Sequence, residues 1–121
     1  MCCRQLKSVR LNEGLEKLGR HAFHYSAIES IGLPSTLKRV EAETFCSCMN
    51  LKNVEISEGV EYIGKYCFCQ CVIREITLPS TLKEMGESSF DFCRNLRTVW
   101  VRKDCALDIR QYIKNVDVRY K

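Results

Sequence analysis

The chain has 121 residues, which is enough for one domain with a hydrophobic core and too few for two comfortable ones. Hydrophobic residues make up 45% and charged residues 28%, a balance that excludes a disordered tail. The net charge of +4 comes with Lys and Arg interleaved among Glu, so charge implies no nucleic-acid partner, and no apolar run is long enough to suggest a membrane span.

At the N-terminus, Met1 to Lys7 lacks the uninterrupted apolar core of a secretory signal. The cysteine count of nine is odd, and the spacings do not resemble a small disulfide-stapled scaffold. Together these features favour free thiols and a reducing, cytoplasmic setting. Cys3 and Leu6 stand where Cys48 and Leu51 stand two repeats later, so the chain opens in mid-repeat.

From Leu6 onward one pattern returns. Phe23, Phe45, Phe68 and Phe90 lie 22 or 23 residues apart. Other columns keep step: Val9, Ile31, Val54, Ile76 and Val99; Leu11, Leu33, Ile56, Leu78 and Val101; Leu15, Leu37, Val60 and Leu82; Leu18, Val40, Ile63 and Met85. Pairs such as Val54 and Ile56 alternate with polar residues and predict a strand with one face inward. Pro34 and Pro79 end that strand, because proline donates no ladder hydrogen bond. Gly19, Gly64 and Gly86 fall where the coil turns back, a place that often needs a positive φ, although Glu41 breaks their column. The segment Leu33 to Lys38 recurs unchanged as Leu78 to Lys83, while Leu11 to Leu15 and Ile56 to Val60 share a Glu-Gly turn, so the repeats come in pairs.

One such coil cannot bury its apolar face alone, whereas stacked coils form a continuous core flanked by a parallel sheet. Repeats are expected at about 6–28, 28–51, 51–73 and 73–96 within a single domain spanning 1–121. Leu96 to Val101 supplies a fifth strand. A C-terminal cap at about 102–121 is predicted to hold a short helix over Ala106 to Ile113 and a last strand around Val116 and Val118.

Leu51 to Cys71 carries Leu-x-x-Val-x-Ile, then an apolar-x-x-Ile-Gly segment, a small residue before Phe68, and a following cysteine; Ala22-Phe23 adds a literal Ala-Phe. This pattern resembles the BspA-like class of leucine-rich repeats over Cys3 to about Val101. The expected fold is an α/β leucine-rich-repeat right-handed solenoid, mainly β, with parallel strands stacked one per 22–23-residue repeat. The resemblance implies a non-enzymatic role in adhesion or protein binding, often on bacterial surfaces, with no catalytic residues or cofactor to carry over. Two departures stand out: the secretion signal is missing, and the mid-repeat opening suits either a piece of a longer array, which allows a cell-surface location, or a stack with an uncapped first coil through which copies self-associate.

Three constellations offer residues with chemical potential. Ser26, Cys48, Cys71 and Cys93 recur three residues past each Phe, with Cys3 one repeat earlier; they read as a ladder of buried thiols or, more sharply, as a site for a disulfide between neighbours such as Cys48 and Cys71. His24, Cys46, Cys69 and Asp91 follow each Phe directly. Stacked in a line they cannot surround one ion, which leaves Cys46, Cys67 and Cys69 as the weak metal-binding alternative and, with the other stacked thiols, a redox-responsive one. His21 and His24 flank Phe23 in a tight return and read as solvated turn residues.

The outward residues of the strands form the candidate binding surface for a protein partner: Arg10, Asn53, Glu55, Glu75, Thr77, Thr98 and Trp100. Trp100 reads equally as an interface anchor and as a residue packed beneath the cap.

Overall fold

Residues 8–20, 22–24, 26–113 and 116–121 are described by a computed structural model. In chain order the strands are β1 (Ser8–Arg10), β2 (Lys17–Leu18), β3 (Ser30–Gly32), β4 (Arg39–Val40), β5 (Asn53–Glu55), β6 (Tyr62–Ile63), β7 (Glu75–Leu78), β8 (Glu84–Met85), β9 (Thr98–Val101) and β10 (Asp117–Tyr120). They wind into a parallel β-solenoid of about five turns. One side carries β1-β3-β5 and β7-β9-β10, and the other carries β2-β4-β6-β8, with every pair parallel.

The register aligns the apolar columns of the sequence. Val9 pairs with Ile31 and Ile31 with Val54, and likewise Ile76 with Val99 and Val99 with Val118. The core between the two sides includes Leu33, Leu37, Val40, Leu51, Val60, Ile63, Ile73 and Leu78, all buried. Behind them the phenylalanines form a continuous stack. Ring centroids are 5.5 Å apart from Phe23 to Phe45, 5.4 Å from Phe45 to Phe68 and 5.3 Å from Phe68 to Phe90, with neighbouring planes within 9° of parallel. Parallel offset rings at that spacing add to the apolar area they remove from water.

The returns that carry these rings use left-handed backbone at residues other than glycine. Glu43, Ser47, Tyr66, Gln70, Ser88 and Phe92, two positions before or after Phe45, Phe68 and Phe90, have φ between 55° and 62°. Each costs roughly 1–2 kcal/mol and persists only where the surroundings dictate it. Here the ladder continues through the returns: Phe23 N–H donates to Thr44 O at 2.9 Å, Phe45 N–H to Cys67 O at 2.9 Å and Phe68 N–H to Ser89 O at 2.8 Å.

The expectation of a positive φ at Gly19, Gly64 and Gly86 is corrected by this geometry, since those glycines do not adopt it while Gly14 and Gly59 do. Gly64 and Gly86 are required for space. A Cβ at Gly64 would lie 2.4 Å from Ala42 N, and one at Gly86 2.1 Å from Lys65 N.

The pairing of repeats has a direct cause. The Glu13 carboxylate accepts from the Ser35 amide at 2.8 Å and from its hydroxyl, while Gly14 N–H donates to Thr36 Oγ1 at 2.8 Å. One pair later Glu58 holds Ser80 in the same way, and Gly59 N–H donates to Thr81 Oγ1 at 2.9 Å. Each Glu-Gly turn thus clasps the Pro-Ser-Thr turn of the next coil.

The cap differs from expectation in its helix. Only Ile109–Gln111 is helical, as a 3₁₀ turn with Asp108 capping Arg110 N–H at 3.2 Å. So short a segment cannot carry the nucleation cost of an α-helix, but one turn suffices to bury Ile109 and Ile113 over the end of the core. The last strand forms over Asp117–Tyr120, in register with β9. Cys3, Leu6 and His21 lie outside the described residues.

Candidate interaction surface

Along the first side of the solenoid, alternate residues of each strand point away from the core because strand side chains alternate faces. Asn53, Glu55 and Glu75 are exposed there, and Thr77, Thr98 and Trp100 half-buried. Arg10 on β1 reaches across β3 to Glu55 on β5, with a guanidinium–carboxylate distance of 2.8 Å. Gly32 makes that crossing possible, since a Cβ there would lie 2.9 Å from the guanidinium carbon. Both partners are about 70% exposed, so the pair orients side chains more than it stabilises the fold.

The ladder on this side is interrupted between β5 and β7, which are neighbours in the stack but do not pair. Two carboxylates flank the interruption and lean away from it. Glu55 is drawn back by Arg10, and Glu75 accepts from the Trp100 indole N–H at 3.3 Å. Between them opens a groove of about 580 Å³, lined by Asn53, Glu55, Glu75, Thr77 and Trp100, with Arg102 and Lys121 at one end. Five of the seven surface residues read from the sequence meet in it. Arg10 acts from outside through Glu55, and Thr98 sits beside Glu75 on the far strand of that pair.

Trp100 lies half-buried on the outward face, beside the cap strand β10. It sits between Thr77 and Arg119 in the ladder, and the Arg119 guanidinium and Lys121 ammonium approach its ring centroid to 5.9 and 5.1 Å. Sequence reading missed the interruption, the cationic end supplied by Lys121, and an apolar hollow at the returns lined by Met49, Val72 and Phe92. Phe92 is 68% exposed, and its place two residues past the Phe90 column was the available signal.

The cysteine column is interior. Cys48 Sγ donates to Phe23 O at 2.9 Å, Cys71 Sγ to Phe45 O at 3.2 Å and Cys93 Sγ to Phe68 O at 2.9 Å, so each thiol caps a carbonyl of the preceding coil. All three are free. Burial pushes the Cys48 thiol up to about 12 and the Cys93 thiol up to about 11, and raises Cys71 further. Such thiols are poor nucleophiles at neutral pH. Cys69 is pushed up to about 12, first by burial and then by the adjacent Cys46 thiol, while Cys67 is buried beside the Phe45 backbone. Among the described residues no three His, Cys, Asp or Glu side chains converge as metal ligands would. No helix among them is long and apolar enough to cross a membrane.

Parallel strands stacked on the two sides of successive 22–23-residue coils around an apolar spine define a leucine-rich-repeat solenoid. The chain belongs to the BspA-type leucine-rich-repeat family, whose sequence model matches residues 1–97 in six copies. Its fold is similar to that of the pneumococcal vaccine antigen PcpA, with a TM-score of 0.77 and 17% identity over 81% of this chain and 25% of that one. A leucine-rich repeat protein from Bacteroides ovatus gives 0.71 and 19% over 98% of this chain and 38% of that one. A leucine-rich cell surface protein from Faecalibacterium prausnitzii gives 0.66 and 20% over 86% and 34%. The chain therefore spans between a quarter and two fifths of the length of these three structures. No curated protein matches it.

Proposed function

We propose that the chain is a non-enzymatic protein-interaction module and that the outward sheet face is its contact surface. The observation that carries this reading is the groove at the β5–β7 interruption, where acidic Glu55 and Glu75, polar Asn53 and Thr77, and half-buried Trp100 converge on a rigid backbone. Concave sites of this kind combine an aromatic anchor with a few placed polar groups. Family membership supports the reading, since BspA-type repeats generally act as scaffolds. The likeness to a bacterial vaccine antigen and a cell surface protein suits adhesion as the setting.

The test is affinity capture from the native host with the wild-type chain and with Trp100→Ala and Glu55→Ala/Glu75→Ala variants. Partners retained by the wild type and lost from the variants support the surface. An identical retained set from all three removes it.

A further inference from the structure

The return side carries a pair of thiols that stand outside the carbonyl-capping column. Cys48, Cys71 and Cys93 each donate to a carbonyl of the preceding coil, and Cys105 Sγ lies 3.8 Å from Leu82 O. Cys67 is enclosed beside the backbone of Thr44 and Phe45. Cys46 and Cys69, directly after Phe45 and Phe68, face each other instead, with the Cys46 thiol within hydrogen-bonding reach of the Cys69 thiol. His24 and Asp91 take the same position in the flanking coils. Among the described residues, this column therefore sets thiol on thiol at one junction, that of the second and third coils.

The backbone holds the two in matched positions. Cys46 N–H donates to Glu43 O and Cys69 N–H to Tyr66 O, both at 3.2 Å. The left-handed residues that frame them, Glu43 and Ser47 in one coil and Tyr66 and Gln70 in the next, have φ of 60°, 62°, 55° and 61°. The coils are also tied on both sides of the pair. Phe45 N–H donates to Cys67 O at 2.9 Å and Ser47 N–H to Cys69 O at 2.7 Å, the Phe45 and Phe68 rings stack at 5.4 Å, and Ser47 Oγ donates to Gln70 Oε1 at 2.6 Å. Backbones laddered in this way lie about 4.8 Å apart, inside the roughly 4.4–6.8 Å between α-carbons that a disulfide spans. Access is unequal: Cys46 is half-buried and Cys69 only 8% exposed, so an oxidant meets Cys46 first.

We propose that Cys46 and Cys69 form an oxidative modification site, at which a low-molecular-weight disulfide of the glutathione class converts the two thiols into a bond that staples the second coil to the third. The Cys46 sulfur attacks one sulfur of the small disulfide, giving a mixed disulfide on Cys46 and releasing one small thiolate, which takes up the Cys46 proton. The Cys69 sulfur then attacks the Cys46 sulfur and displaces the second small thiolate, which takes up the Cys69 proton. Two protein thiols are oxidised to one disulfide while the small disulfide is reduced to two thiols. Burial and the adjacent Cys46 thiol keep Cys69 protonated at neutral pH, which makes the second step the slower one. The bond joins residues 23 apart in sequence, so it restrains the unfolded chain while the folded coils stay where the ladder already holds them. Neither cysteine lines the groove at Trp100, and the staple is independent of partner capture there.

The experiment equilibrates the folded, reduced chain with oxidised glutathione, alkylates the remaining thiols and maps cross-linked peptides by mass spectrometry, with thermal unfolding followed alongside. A bond between Cys46 and Cys69 is expected, together with a Tm about 5–15 °C above that of the reduced chain, both reversed by dithiothreitol. Cys69→Ser is expected to stop at a glutathione adduct on Cys46 with no such rise, and Cys46→Ser to leave Cys69 without an adduct. The wild-type map decides the matter whether or not the variants fold. Cys46 and Cys69 both still free after oxidation, a bond from either to another cysteine, or the expected bond with Tm unchanged or lowered overturns the proposal.

Discussion

The return side and the outward sheet face are built by the same 22–23-residue period and yet behave oppositely. On the return side each coil repeats its predecessor closely: phenylalanine on phenylalanine at 5.3–5.5 Å, and a thiol on each preceding carbonyl from Cys48 to Cys93. On the sheet face no two coils present the same pair of residues, the ladder breaks between β5 and β7, and side chains bridge unequal distances. Burial enforces sameness, since any change in volume strains both neighbours. A solvated face carries no such penalty and is free to specialise.

The sharpest way to break this comparison is to truncate the spine. Phe68→Ala is expected to cost about 3–5 kcal/mol in urea unfolding, because the ring is fully enclosed between two others and the cavity cannot collapse. A loss below about 1 kcal/mol would mean that the stack contributes little beyond its neighbours' packing. Next comes Gly86→Ala, expected to destabilise by about 1–3 kcal/mol through the contact with Lys65 backbone. On the sheet face, Trp100→Ala is expected to change stability by less than about 1 kcal/mol while removing partner capture, and a large stability loss would place Trp100 with the core instead. Glu58→Ala, which releases the Ser80 turn, is expected to cost about 0.5–1 kcal/mol in this exposed setting.

Alkaline titration sharpens the same contrast. The Cys48 thiol has an ordinary value of 9.0, raised to about 12 in the fold by burial. The unfolded chain therefore gives up that proton first as pH rises, so the stability associated with the neutral thiol is fully present below pH 9 and is lost towards pH 12. Thermal scans between these limits are expected to show Tm falling less steeply for Cys48→Ala than for the wild type. Equal slopes would show that this thiol is open to solvent.

Much of the architecture was legible from spacing. The four phenylalanines, the apolar columns and the alternation of Glu-Gly with Pro-Ser-Thr turns are all visible in one dimension, and the structure returns each as a contact: the ring stack, the in-register strands and the Glu-to-Ser clasps. The two-residue strands β2, β4, β6 and β8 were not, because a pair of residues has no period to detect. The cap helix was overextended for a related reason, since spacing shows which residues face inward but not how few turns suffice to bring them there.

For the candidate surface the sequence alone determined membership: which residues point outward follows from alternation along each strand, a local property of the backbone. Only the tertiary structure decided how those residues act together. That Arg10 passes over Gly32 to reach Glu55, that Glu75 turns to Trp100, and that a groove opens between β5 and β7 depend on side chains one or two coils apart, and no pattern within a single repeat encodes them.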